Sequence, residues 1–131
     1  QAVTRVVLCS GKVYYDLVEE YEKRHISDVA VVRVEQLYPF PRVDLYAELV
    51  RYPNARTVVW CQEEPMNQGA WFQIRHHLTA SIAERHELHY AGRHRSPAPA
   101  TGNSNTHARE QAALVNEALS VADLGSLPKP E

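Results

Sequence analysis

Long apolar runs are missing from this 131-residue sequence. Nothing approaches the ~18 consecutive apolar residues that span a bilayer, and the start lacks a signal-peptide pattern. Neither a membrane segment nor a secreted product is expected. An excess of one charge is missing too. The 14 Lys and Arg nearly balance the 16 Asp and Glu, leaving a net charge of −2 and no basic field for nucleic acid. Cysteine is scarce: Cys9 and Cys61 each sit in an apolar run, with no CxxC spacing, so no zinc site is expected. Two cysteines in a non-secreted chain are expected to be reduced and intracellular. A disulfide between them requires neighbouring strands. The single methionine is Met66 and the first residue is Gln1, so the sequence is expected to be a piece of a longer polypeptide. What remains is an ordinary globular composition, 44% hydrophobic and 23% charged, at a length that suits one domain with one core.

The apolar runs are short and regularly spaced. Arg5-Val6-Val7-Leu8-Cys9 reads as a buried strand, and Ser10-Gly11-Lys12 turns it, with Ser10 placed to cap a helix. Val13, Leu17 and Tyr21 recur every four residues opposite a charged face, which predicts a helix over 12–25. A second β-branched run, 29–34, is a central strand. Two prolines make 35–41 an extended connection, and Pro41 suits the first turn of the next helix. Leu45, Leu49 and Val50 give that helix its apolar stripe to about Arg51. Thr57 to Cys61 is a third strand. Trp71, Ile74, Leu78 and Ile82 mark a helix over about 68–85. Residues 88–92 form a weaker strand, 96–103 a loop rich in Pro, Gly and Ser. Leu114, Val115, Ala118 and Leu119 stripe a last helix over about 106–120, capped by Asn105 or Thr106. The domain is expected over 1–122, with a disordered tail over 123–131. Strand and helix alternate four times, which predicts an α/β fold: a three-layer α/β/α sandwich with a mostly parallel sheet and right-handed crossovers.

Polar groups concentrate where the third strand ends, at Gln62, Glu63, Glu64, Asn67 and Gln68, before Trp71 opens a helix. In open α/β sheets that edge is where function collects. The residue types do not form a catalytic set. Glu63 and Glu64 are adjacent on an extended chain, so they point oppositely and suit turn amides or an Arg partner. Asn67 and Gln68 suit a turn. Ser10-Gly11-Lys12 lacks the remaining spacing of a phosphate loop. His76 and His77 point about 100° apart and cannot share a metal as HExxH does. His86, His89 and His94 have no ligand-spaced companions. Lys12, Arg42, Arg93 and Arg95 suit an anionic ligand if the fold brings them together. No nucleophile elbow and no dinucleotide fingerprint is present.

Taken together, the motifs carry a resemblance. Val7-Leu8-Cys9-Ser10-Gly11-Lys12-Val13-Tyr14-Tyr15, Val32-Arg33-Val34-Glu35-Gln36-Leu37-Tyr38-Pro39-Phe40-Pro41 and Trp60-Cys61-Gln62-Glu63-Glu64-Pro65-Met66-Asn67-Gln68-Gly69-Ala70-Trp71 come in that order. Tyr90-Ala91-Gly92-Arg93, Pro97-Ala98-Pro99-Ala100-Thr101-Gly102 and His107 with Glu110-Gln111 follow. Over about 4–120 the chain resembles the C-terminal, third transketolase-like domain of the E1 component of 2-oxoglutarate dehydrogenase. The resemblance implies a mixed sheet of about five strands. It implies a parent enzyme dependent on thiamine diphosphate and magnesium that decarboxylates 2-oxoglutarate and succinylates the lipoyl group of an E2 partner. The cofactor and metal sites would lie on the preceding domains, so no catalytic, cofactor or metal residue is expected here and no turnover from this piece alone. Its expected roles are structural, in contact with the preceding domains and a second E1 subunit, and regulatory. Acetyl-CoA or AMP as effector would meet Gln36 and Arg42. Val43 and Asp44 stand where effector-binding relatives can carry further arginines, and an Asp there opposes a phosphate. The elbow with Trp71, Met66 and Tyr38 suits a subunit or domain contact. The alternatives are a stand-alone acyl-CoA or nucleotide module and the same domain of a 2-oxoadipate-type E1. The expected compartment is the bacterial cytoplasm, or the mitochondrial matrix in a eukaryote.

Overall fold

The computed structural model describes residues 3–82, 85–93 and 104–120. Four strands and four helices alternate: β1 (Arg5–Cys9), α1 (Val13–Lys23), β2 (Val29–Arg33), α2 (Arg42–Val50), β3 (Thr57–Pro65), α3 (Trp71–Ser81), β4 (Glu87–Arg93) and α4 (Ser104–Leu119). The strands form one sheet in the order β2-β1-β3-β4, so among the described residues the 29–34 run, expected to be central, is an edge strand, half-buried over most of its length. All three pairings are parallel. The described residues thus supply four parallel strands, without the antiparallel member of the five-strand arrangement that the resemblance implies. The segments 94–103 and 121–131, which include His94, Arg95, the Pro97–Gly102 loop and the tail, lie outside the described residues.

Period-two alternation sorts the strand side chains onto two faces. Val7, Cys9, Val59, Cys61 and Ala91 pack against Val13 and Leu17 of α1 and Leu114, Val115, Ala118 and Leu119 of α4. Val6, Leu8, Val58, Trp60 and Tyr90 pack against Leu45 and Leu49 of α2 and Trp71, Ile74 and Leu78 of α3. Both faces are covered, which is why the strands read as continuous apolar runs rather than alternating ones. Cys9 and Cys61 are register partners on neighbouring β1 and β3. Both are free and buried. Burial pushes the Cys9 thiol up to about 12 and the Cys61 thiol up as well, so neither is a ready thiolate.

Several boundaries differ from the sequence reading. Helix α1 stops at Lys23 because His25 turns left-handed, at φ 55°. The Ile26 amide then donates to the Tyr21 carbonyl and the His25 amide to that of Glu22, which is a Schellman cap. Its start has no side-chain cap, so Ser10 does not serve as one, and Lys12 takes that position. Pro41 caps α2 from just outside it. Val50 faces outward at 56% exposure rather than joining the buried stripe. Helix α3 begins at Trp71, not near 68, because residues 66–70 form the turn around Gly69. Strand β3 runs past Cys61 to Pro65, since β4 offers ladder partners as far as Arg93, with the register shifted between Gln62 and Pro65. Proline, having no N–H, sits at that irregularity.

Arg5 is 1% exposed within what reads as an apolar strand. Its guanidinium reaches the end of α4, where Nη1 donates to the Ala118 carbonyl at 3.0 Å and, more loosely, to that of Glu117 at 3.4 Å. A cation at a helix C-terminus meets the negative end of its dipole. Burial lowers the guanidinium to about 10, which leaves it charged at neutral pH. Arg5→Met keeps the stem and strips these carbonyls of their donor. It should lower stability by about 1–3 kcal/mol in urea unfolding.

Candidate functional site

The chain leaves β1 toward β2 on one side and returns across β1 to β3 on the other. The switch point therefore lies between the ends of β1 and β3, the usual crevice of such sheets. Gln62 stands there, 3% exposed. Its Oε1 accepts from Trp60 Nε1 at 2.9 Å and from the Trp71 amide at 3.1 Å. Its Nε2 donates to the carbonyls of Glu64 at 3.1 Å and Pro65 at 3.0 Å. All four positions of the carboxamide are used. Around it the backbone is close. A Cβ on Gly69, whose φ is +26°, would lie 2.8 Å from Gln62 Nε2, and one on Gly92 would lie 2.7 Å from the Gln62 carbonyl.

Glu63, the next residue, turns to the α4 side. Gln111 Nε2 donates to Glu63 Oε1 at 3.1 Å and to Asp16 Oδ2 at 2.8 Å, joining β3, α4 and α1. Arg93 at the end of β4 completes the cluster. It donates to Glu110 Oε1 at 3.1 Å, to Gln111 Oε1 at 3.0 Å and to the Glu63 carbonyl. Glu64, on the opposite side, is exposed beside Gly69, and Asn67 and Gln68 are exposed on the turn. The Gln68 amide closes that turn on the Pro65 carbonyl at 2.9 Å. Trp71 is buried against Tyr90, ring centroids 5.3 Å apart. Most of the elbow is thus spent on holding the sheet edge together.

Gln36 and Arg42 belong to a second feature. The segment between them, with a cis peptide at Tyr38–Pro39, lies along α3. The Gln36 carboxamide donates to the Tyr38 carbonyl at 3.3 Å, and the Tyr38 hydroxyl meets Gln73 Oε1. Arg42 Nε donates to His77 Nδ1 at 2.8 Å, and Phe40 stacks on the His77 ring at 5.3 Å. Gln73 and His77 are one turn apart on one face of α3. Gln36 and Arg42, both exposed, are thereby held at the two ends of one exposed strip.

Of the cations considered together in the sequence, Arg95 lies outside the described residues, and the other three do not converge. Lys12 is exposed beside α1, Arg93 is committed to the α4 side, and Arg42 sits on the α2–α3 layer. Among the described residues, no three His, Cys, Asp or Glu could hold a metal ion. The carboxylates of Asp16, Glu63 and Glu110 line the sheet edge, where they would repel a diphosphate. These residues do not fit thiamine diphosphate. His86 is buried, and His89 bonds to Glu87 at 3.2 Å. The pairing of Gln111 with Asp16 and the reach of Arg42 to His77 span 95 and 35 residues, beyond what spacing reveals.

Two outcomes follow from this geometry. Gln62→Leu leaves the Trp60 indole N–H and the Trp71 amide as buried donors without their acceptor, while the Pro65 carbonyl keeps the Gln68 amide and the Glu64 carbonyl the Tyr90 hydroxyl, and should cost about 2–4 kcal/mol in urea unfolding. His77 Nδ1 accepts the Arg42 bond only while unprotonated. Desolvation, then the neighbouring His76 and Arg42, hold this imidazole below its ordinary value. The unfolded chain binds that proton more readily, so the contribution is complete above pH ~6.5 and is lost as the pH falls through the folded value. An NMR titration should place His77 below an ordinary histidine, and Arg42→Ala should raise its midpoint.

Comparisons with known proteins agree on one assignment. The sequence model of the family described as 2-oxoglutarate dehydrogenase C-terminal matches residues 1–119. The 2-oxoglutarate dehydrogenase E1 component of Cupriavidus necator is 50% identical over 117 residues, covering 89% of this chain and 12% of that protein. Its namesake in Coxiella burnetii is 51% identical over 121 residues, covering 91% of this chain and 13% of that protein. The chain therefore spans about one eighth of the length of the curated relatives it matches. Among solved structures, a split-gene transketolase described as an inactive beta4 tetramer superposes with a TM-score of 0.57 at 17% identity, over 92% of this chain and 41% of that one. That likeness is one of fold. With four parallel strands between two helix layers and a family match from residue 1 to 119, the chain belongs to the 2-oxoglutarate dehydrogenase C-terminal family.

Proposed function

We propose that this chain serves as the C-terminal domain of a 2-oxoglutarate dehydrogenase E1. The whole enzyme would use thiamine diphosphate and magnesium, held on its preceding domains, to decarboxylate 2-oxoglutarate and pass the succinyl group to the lipoyl arm of E2. The observation that carries the reading is the match over residues 1–119 to relatives of that name at about one eighth of their length. The choice of 2-oxoglutarate over 2-oxoadipate is read from the relatives' names. A cytoplasmic site of action, or the mitochondrial matrix in a eukaryote, belongs to the same reading.

Within that enzyme the domain's work is packing and effector reading. The polar groups at the sheet edge bond chiefly to one another, and burial holds the two thiols protonated, so the described residues offer packing rather than a ready nucleophile. The strip from Gln36 to Arg42 is different. It is exposed and ordered from beneath by α3. It presents an amide and a guanidinium, donors that suit the phosphate and carbonyl groups of AMP or acetyl-CoA. Asp44 lies in the first turn of α2 and opposes a second phosphate nearby. Contacts to the preceding E1 domains, a second E1 subunit and E2 belong to the same reading.

Calorimetric titration of the full-length enzyme with AMP and with acetyl-CoA tests it. Saturable binding should weaken about ten-fold or more in Arg42→Ala, as befits a lost charge-assisted hydrogen bond, and also in Gln36→Ala. Equal affinity in both variants would remove the effector role. The enzyme itself should release carbon dioxide from 2-oxoglutarate, whereas the 131-residue chain alone should not.

A further inference from the structure

The bond between Arg42 and His77 is of a different kind from the ion pairs on nearby helices. Arg24 meets the carboxylate of Glu20 at 2.7 Å, and Arg51 meets that of Glu48 at 3.0 Å. Arg42 instead donates through Nε to His77 Nδ1 at 2.8 Å. An imidazole nitrogen accepts such a bond only while neutral, so the guanidinium charge is left uncompensated. Among the described residues, no hydrogen bond or ion pair engages the two Nη groups of Arg42. Its Nε is anchored, and the fork of Nη1 and Nη2 is left for an anion.

The surroundings of His77 bring no anion to it. The groups that act on it are Arg42 and the adjacent His76, ring centroids 4.0 Å apart. Tyr38 is engaged one turn back with Gln73. On α2, Glu48 is held by Arg51 and Tyr52, and Asp44 is exposed in the first turn. Phe40 lies flat against the ring, 5.3 Å between centroids and 9° between planes. A π face also suits an imidazolium, so protonation costs no packing there.

We propose that His77 is part of the effector site and couples the binding of an anionic effector there to the uptake of a proton. The inference rests on the reading of the Gln36–Arg42 strip as an effector site. A phosphate on the Arg42 fork supplies the negative charge that the free pair lacks. An anion at ~4–6 Å favours the protonated form of a histidine. The imidazolium no longer accepts from Arg42 Nε, which frees the guanidinium to turn onto the phosphate. His77 then adds a second positive charge. Phosphate and proton favour each other, and the coupling is reciprocal. Affinity therefore rises as the pH falls from the bound midpoint toward the free one. The free midpoint lies below the ordinary ~6.5 of histidine, and the bound midpoint lies above the free one.

Calorimetric titration of the full-length enzyme with AMP, from pH 8 to pH 6, tests this by comparing the parent with His77→Gln. A glutamine oxygen still accepts from Arg42 but takes no proton. The ratio of the two dissociation constants at each pH cancels the titration of the phosphate itself, near pH ~6. At pH 8 the two proteins should agree within about two-fold. At pH 6 the parent should bind about three-fold tighter or more, each unit of midpoint shift being worth at most about ten-fold. In two buffers of different ionisation enthalpy, the parent should take up a fraction of a proton more than His77→Gln. His76→Gln should keep the parent's profile. An equal ratio at both pH values would overturn the proposal and leave the effector reading standing. A ratio that moves against the parent on acidification would overturn it as well, because His77 would then act only by ordering Arg42. Lack of saturable binding of AMP and acetyl-CoA at every pH would sink the effector reading itself, and this inference with it.

Discussion

The carboxamide of Gln62 holds the C-terminal edge of the sheet to the helix that follows it. Its position is demanding because it is buried, and a buried amide with one empty position costs more than the bond it fails to make. All four positions are filled, by Trp60 behind it, by the carbonyls of Glu64 and Pro65 beside it and by the first amide of α3. The glycines at 69 and 92 belong to the same constraint: side chains there would intrude on the Gln62 amide and carbonyl. From this anchor the start of α3 is set. Gln73 and His77 follow at fixed turns, and the Tyr38 and Arg42 side chains are ordered against them.

Alternation along β3 divides the elbow's chemistry. Gln62 serves the α3 layer, whereas Glu63 enters the cluster of Gln111, Asp16, Arg93 and Glu110 on the α4 layer. Each layer is thereby tied to the sheet at the C-terminal edge of its strands. Such a cluster favours one arrangement of α1 and α4 over slipped alternatives. It also explains why a polar elbow at a switch point is chemically quiet. Its carboxylates are held by Gln111 and Arg93 rather than aimed into an open cleft, and Cys9 and Cys61 nearby are kept as thiols by burial.

Much of this was legible in the residues. Val7, Cys9, Val59 and Cys61 announce strands buried on both faces, and Leu114, Val115, Ala118 and Leu119 announce the inner face of α4. The elbow was legible as a concentration of polar residue types, though its first half proved to be strand, because only β4's length shows that a ladder partner continues to Arg93. Val50 was misplaced for a related reason. On a helix with two apolar stripes, periodicity alone cannot say which one meets the sheet. Arg5 was hidden in an apolar run, since its partners lie more than a hundred positions away on α4.

The sequence by itself determined the alternation of strands and helices and the family, because these depend on local spacing and on long ordered motifs. Only the tertiary structure decided the strand order, which places Cys9 beside Cys61 without a bond, and decided which cations gather. Lys12, Arg42 and Arg93 look equivalent along the chain, but the crossovers send them to separate places: the start of α1, the α2–α3 layer and the α4 side of the sheet edge. Hydrogen bonds and ion pairs act over about 3 Å, and neighbours at that range are set by how the layers stack, not by separation in sequence.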